Sequence, residues 1–352
     1  MPGEADSELP HADDDRLAAL SQRVKRLRRR VLDPDVLRGQ LPLRWPLVQR
    51  IAARPESSVR ERRFLDVSSS YAEAVSEQSP ATGLADARRT FLDGLAWWVP
   101  LTAPDNAALV EKALRHQDFP YRAITQTRDV ALGGIMLDIG ANIGRMTVPR
   151  VILGDVTVAY CAEPDPLNYR CLVRNVRDNG LAGLVLPDNL AIGAVNGNAR
   201  LVKAKSAGGH RVIDDAAQVR GEVIDVPMLT LDTWIERLGV DPGDVRFIKV
   251  DVQGSEVDVL DGAAAVLACR HIAWQIEVDL GTLATRGLAG RDLIGRIQPH
   301  FSHFVDLNRL LTTLRVRPIA DLAPALEYVS GGSDGRTDIV LFSVAQGPIP
   351  GV

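Results

Sequence analysis

The sequence predicts an α/β fold: a mostly parallel sheet with helices on both faces, preceded by a helical N-terminal region. Three observations carry that expectation. At 352 residues the chain has room for one large core and an appendage. From about Gly133 onward, short runs rich in Val, Ile and Leu alternate with helical patterns, as parallel strands do when each crossover is a helix. Before that point apolar residues recur at helical spacing between clusters of Pro and Ser. The expected division is therefore an N-terminal helical region over 1–125 and an α/β domain over 126–352.

Residues 1 to about 14, MPGEADSELPHADD, are acidic and polar and are expected to be disordered. Leu17, Leu20, Val24, Leu27 and Val31 then follow at alternating spacings of three and four, a helical seam through which two copies could pair as a homodimer. Its VKRLRRR run, Val24 to Arg30, reads as the solvated face of an amphipathic helix. ARRTFLDGLAWWVPL and PDNAALVEKALRHQ read as further helices.

The sheet strands are expected in GIMLDIG, VTVAYCAEP, GLVLPDNLAIG, VRFIKVDV, HIAWQIEVD, HFSHFVDL and TDIVLFSV. After the second strand, Leu167, Cys171, Val173 and Val176 line one face of a helix that Asn179-Gly180 should stop. After the fourth, Ser255 with Asp258 three residues on makes a capping-box-like start. A loop containing SGGSDGRT separates the last two strands and suggests a hairpin-like antiparallel end.

Composition narrows the partners. The formal net charge of −4 and the pI near 5.9 argue against a chain built to neutralise phosphates, so no nucleic-acid partner is expected. No apolar segment resembles a signal peptide or a membrane span, and a soluble cytoplasmic protein is expected. Cys161, Cys171 and Cys269 show no CxxC spacing and read as small buried hydrophobes.

The first strand runs into MLDIGANIG. Gly140 and Gly144 permit a tight turn against a ligand, and the next helix offers free N–H groups. A dinucleotide fingerprint starting at Gly140 would need glycines where Asn142 and Arg145 stand, so a pyrophosphate is disfavoured. Asp138 beside the turn would repel phosphate and suit an ammonium group. Glu163, at the tip of the second strand, is placed to accept hydrogen bonds from two ribose hydroxyls. S-adenosylmethionine satisfies both acids without a phosphate. Asn189, near the end of the third strand, could meet the adenine edge.

MLDIGANIG, AEPDPLNYRCLVRNV, LAIG, LTLDTWI, IKVDVQGSEVDVLDGA and IEVD stand in the order seen in FkbM-type methyltransferases, and over about residues 126–344 the chain resembles that branch of the class I S-adenosylmethionine-dependent enzymes. The resemblance implies a Rossmann-like seven-stranded sheet in the order 3-2-1-4-5-7-6 with the last strand antiparallel. It also implies methyl transfer to a hydroxyl of a sugar or natural product, so that the partner is a small-molecule or glycan acceptor. In that order the first and fourth strands are neighbours at the switch point, and Asp251 falls beside the cofactor loop. Asp251 could accept the hydroxyl proton, orient a water or hold a cation. Glu277, in IEVD, is the nearest second carboxylate, with either a catalytic role or a salt bridge within the site, for which Lys249 is a candidate partner. The two acids would suit magnesium but are too few to demand it. His210, in KAKSAGGHRV, either reaches over the substrate as a base or is an exposed loop residue.

Gln253 departs from the resemblance, where a Glu is common. An inactive binding protein with this fold is therefore an alternative, as is a methyltransferase acting on nitrogen or on a macromolecule. Against a nitrogen acceptor, DVQG follows the fourth strand where Asn or Asp, Pro-Pro and an aromatic would be needed.

Overall fold

The computed structural model describes residues 84–92, 94–101, 119–203, 210–213, 222–307, 314–330 and 335–343. The acidic start, the Leu17–Val31 seam with its VKRLRRR run, and PDNAALVEKALRHQ lie outside these residues.

ARRTFLDGLAWWVPL is not the helix its apolar spacing predicts. It forms an antiparallel hairpin of β1 (Ala87–Leu92) and β2 (Leu95–Pro100), paired from Ala87↔Pro100 to Leu92↔Leu95. An Asp-Gly pair between two apolar runs is a hairpin signal, and Gly94 takes the positive φ of 81° that such turns need. Thr90, Phe91, Trp97, Trp98 and Val99 favour a pleated surface over a helix. Helix α1 (Phe119–Ala131) crosses the expected domain boundary, and its buried Ala123 and Ile124 share a core with Leu95 and Trp97.

The α/β part continues with β3 (Ile135–Ile139), α2 (Thr147–Leu153), β4 (Val158–Ala162), α3 (Pro166–Asp178) and β5 (Val185–Asp188). Asp165 caps α3, its Oδ1 accepting from the Leu167 and Asn168 amides at 2.9 Å. The helix ends before Asn179, with Gly180 at φ 73°. Next come β6 (Ala191–Ile192), β7 (Gly197–Val202), β8 (Arg211–Ile213) and β9 (Val223–Leu229), which form a separate four-stranded sheet in the order β6-β9-β7-β8. The sequence reading placed only a loop after the third strand here and missed this sheet.

The chain then builds α4 (Leu231–Leu238), β10 (Val245–Val250), α5 (Glu256–Asp261), α6 (Ala264–Leu267), β11 (Ala273–Asp279), α7 (Leu280–Thr285), α8 (Gly290–Ile297), β12 (His303–Asp306), β13 (Arg317–Pro318), α9 (Leu322–Ser330) and β14 (Arg336–Phe342). The main sheet has the order β13-β12-β14-β11-β10-β3-β4-β5. From β11 to β5 its neighbours are parallel, and β14 is antiparallel to both β11 and β12. Eight strands stand where seven were expected, because the two-residue β13 pairs with β12 at the edge. β13 and α9 also replace the hairpin expected between the last two strands. Successive side chains point to opposite faces: Met136, Ala159 and Phe247 pack under the hairpin and α1–α3, whereas Leu137, Tyr160 and Ile248 pack under α4–α9.

Candidate active site

The strand order reverses at β3, with β4 and β5 leading one way and β10 and β11 the other. A crevice must open beyond the carboxyl ends of the strands at such a point. A cleft of about 290 Å³ lies there, bordered by the loops after β3, β4 and β10, by Glu277 of β11, and by His210 beside the second sheet.

The turn after β3 is clasped to β4, the amides of Gly140 and Ala141 donating to the Ala162 carbonyl at 2.9 and 3.1 Å. Gly140 has φ 77°, and a Cβ there would fall 1.9 Å from the Asp251 carbonyl oxygen. Only glycine lets the β3 and β10 loops meet so closely. Asn142, at φ 53°, donates its backbone N–H to Glu163 Oε2 at 2.7 Å. Glu163 Oε1 accepts from the Asp165 amide at 3.0 Å and from Asn168 Nδ2 at 3.4 Å. Burial outweighs these donors and pushes the Glu163 carboxyl up to about 7.

Three expected ligand residues lie elsewhere. Asp138 does not reach the cleft: it is fully buried, accepts from Thr147 Oγ1, and lies 3.3 Å from Lys249 Nζ. Strand alternation explains this, since Asp138 and Lys249 are register partners on adjacent strands. Gly144 packs against α3, a Cβ there meeting Leu172 Cδ1 at 2.6 Å. Asn189 spends its amide on the carbonyls of Glu163 and Pro164, at 2.8 and 3.0 Å.

Gly140, Asn142, Glu163, His210, Asp251 and Glu277 do border the cleft. Asp251 is held from two sides. Lys249 Nζ lies 3.2 Å from its Oδ2, and Gln253 Nε2 donates to its Oδ1 at 2.9 Å. The same Gln253 nitrogen donates to Glu277 Oε2 at 2.6 Å. Burial works to raise the Asp251 carboxyl, but the Lys249 ammonium prevails and holds it below the usual range. Glu277 goes the other way: burial, then the charge of Asp251, lifts its carboxyl well above the usual range. Glu277 thus pairs with Gln253 rather than with Lys249.

Glu256 underpins this loop. Its Oε1 accepts from the amides of Gly254 and Val252 at 3.1 and 3.3 Å, and burial raises the carboxyl to about 7. Ser255 makes no side-chain cap to α5, and Asp258 is paired with Arg286 instead, so the expected capping box does not form. His210 Nε2 lies 3.8 Å from Asp165 Oδ2, and burial lowers its pKa against the pull of that acid. Arg336 borders the cleft from β14 and pairs with Asp279. Sequence reasoning overlooked Asn168, Glu256 and Arg336; the first and second follow motif acids by five residues, and Arg336 carries no such signal.

Magnesium does not fit the two acids proposed for it. A donor amide stands between Asp251 and Glu277, and an ammonium lies on Asp251. Among the described residues no cluster of three or more His, Cys, Asp or Glu side chains is gathered to hold a metal.

A doubly covered, mostly parallel sheet with an acidic cleft at its switch point is a Rossmann-like architecture. Residues 138–311 match the methyltransferase FkbM domain. Among solved structures, an FkbM methyltransferase from Methylobacillus flagellatus is 19% identical with a TM-score of 0.36, the alignment covering 60% of this chain and 44% of that one. The chain thus spans less than half of that protein's length. Streptococcus pneumoniae Sp1610, a putative tRNA (m1A22) methyltransferase solved with S-adenosyl-L-methionine, is 14% identical with a TM-score of 0.33, covering 63% and 71%. TYW2 of M. jannaschii, solved with AdoMet, is 9% identical with a TM-score of 0.33, covering 74% and 86%. No curated protein is similar enough to the chain to match it.

Proposed function

We propose that the cleft binds S-adenosylmethionine and that the chain transfers its methyl group to a hydroxyl oxygen of a small-molecule acceptor, a sugar or a natural product. The observation that carries this reading is the character of the cleft. Around the β3 turn it offers the Glu163 carboxylate and the apolar walls of Ala162, Leu190 and Ile192, which suit a ribose and an adenine without a phosphate. Glu163 keeps acceptor capacity on Oε2 for a hydroxyl. Asp251, held ionised, gives the other side the negative character that a sulfonium and an ammonium need.

When bound, S-adenosylmethionine supplies an electrophilic methyl group on a positively charged sulfur. The chain's own task is to hold an acceptor hydroxyl in line and to take its proton as the new bond forms. Asp251 borders the cleft and is ionised, so it serves as the acceptor of that proton. Gln253 and Lys249 hold its two oxygens in place. His210, kept neutral by burial, is a second base bordering the same cleft. We place this activity in a cytoplasmic, soluble protein whose N-terminal residues pair two copies through the Leu17–Val31 seam. Among the described residues no helix is long and apolar enough to cross a membrane.

Titration calorimetry with S-adenosylmethionine and with NADH tests the ligand. Heat from the first alone is expected; binding of NADH alone would sink the reading. Asp251→Asn should lose at least about a hundredfold in turnover, the scale of a general base, while its affinity for the methyl donor stays within about threefold. Unchanged turnover removes Asp251 from the mechanism and favours a binding protein. The mass of the product from candidate acceptors then separates oxygen from nitrogen transfer.

A further inference from the structure

The disagreement between the Asp251–Glu277 pair and a metal points to a residue outside the expected site. Two half-buried carboxyl groups facing one cleft are stabilised by a positive or hydrogen-bond-donating partner between them. A divalent cation is one solution. Here a single atom, Gln253 Nε2, lies 2.9 Å from Asp251 Oδ1 and 2.6 Å from Glu277 Oε2. An amide nitrogen carries two N–H bonds, so each carboxyl group receives one. The reverse orientation would set an amide oxygen against an ionised carboxylate.

The backbone is committed to this placement. Gln253 has φ 55°, a left-handed conformation that side chains larger than Asn or Asp adopt at a cost. Gly254, at φ 103°, follows it, and Glu256 Oε1 pins the amides of Val252 and Gly254 on either side. Lys249 adds a second, independent obstacle to a cation, since its ammonium lies on the other oxygen of Asp251. A metal between the acids would have to displace the amide and face that ammonium across one carboxylate.

We propose that Gln253 is a positioning residue that occupies the place of a cation, joining Asp251 to Glu277 through its two amide hydrogens and keeping this site free of bound metal. Replacing it with Glu removes both donors and adds a third carboxylate on the same loop, which turns the site into one with the oxygen ligands a hard divalent cation requires. The inference deepens the functional reading, because Asp251 is the proton acceptor there. Metal binding is measured without donor or acceptor, however, so either idea can fail while the other stands.

The experiment is titration of the full chain with Mn²⁺ followed by electron paramagnetic resonance of the free ion. The wild-type chain is expected to show no cleft site at about 1 mM Mn²⁺, and Gln253→Glu is expected to bind roughly tenfold tighter or better. Adding Asp251→Asn to that variant should abolish the gain, which places the ion in the cleft. If Gln253→Glu does not fold, as judged by its melting curve, Gln253→Ala takes its place, since it too removes both N–H donors and should bind Mn²⁺ more tightly than wild type. Wild-type binding of Mn²⁺ that Glu277→Gln removes overturns the proposal. So does a folded variant with no gain in affinity.

Discussion

Lys249 sits in a strand whose neighbours Ile248 and Val250 are fully buried, and its ammonium lies between Asp138 and Asp251 at 3.3 and 3.2 Å. Burial lowers its pKa, but the two acids more than reverse that, so the group remains charged. Removing it strands two carboxylates, one of them wholly buried. Lys249→Met should cost roughly 3–5 kcal/mol of stability by denaturant titration, and adding Asp138→Asn should recover part of the loss. Glu163 leads to a prediction about the ligand. Its carboxyl titrates at about 7, and only the ionised form offers both oxygens to ribose hydroxyls. Affinity for S-adenosylmethionine should therefore rise as pH passes upward through about 7. Calorimetry at several pH values checks this, and Glu163→Gln should flatten the profile.

The hairpin of β1 and β2 holds to the α/β core through the end of α3. Asn179 Oδ1 accepts from the Ala96 amide at 3.0 Å, and its Nδ2 donates to the Ala96 carbonyl at 2.8 Å, as a neighbouring strand would. Trp98 Nε1 donates to Asp178 Oδ2 at 3.0 Å beside them. Asn179→Ala should leave the buried Ala96 groups unsatisfied at about 1–3 kcal/mol. Hydrogen exchange at Ala96 should speed up more than at β3, since the hairpin loses its attachment while the sheet does not. The second sheet, β6 to β9, shapes the other side of the cleft through Ile192, Leu201 and Val212. Its small core of Ala191, Ala199, Leu201 and Val226 is separate from those of the main sheet.

For the molecule as a whole, the buried carboxyl groups govern how stability depends on pH. Glu163 and Glu256 rise from an ordinary 4.5 to about 7, and Glu277 rises well above its ordinary value. An acid raised in the folded state favours folding fully below its unfolded value, and that advantage is lost as pH climbs through the folded one. The three together should make the protein more stable near pH 5 than near pH 8 (about). Asp251, lowered in the fold, works oppositely, but only as pH falls below its usual range. Glu256→Gln should reduce the difference between the two pH values by up to about 3 kcal/mol, the worth of its shift. Denaturant titrations of both proteins at each pH measure it.

The sequence by itself determined the alternation of strands and helices, the turn after β3, and the acids at three strand ends, because local periodicity and turn chemistry write these features into short segments. GIMLDIG, VTVAYCAEP and HIAWQIEVD hold β3, β4 and β11 where their apolar runs predicted strands. The hairpin was also written locally, in Asp93-Gly94, but helical spacing around it competed with that signal. Other features depended on which strands became neighbours. Asp138 looked like a ligand carboxylate beside a glycine turn until β10 brought Lys249 alongside it. Gln253 and Glu277 are 24 residues apart and share a hydrogen bond only because β11 lies next to β10. The second sheet pairs residues on either side of a long excursion, and no local period announces it. Tertiary structure decided these contacts because a charge buried within a sheet takes its partners from across the ladder, and the ladder joins segments that are distant in sequence.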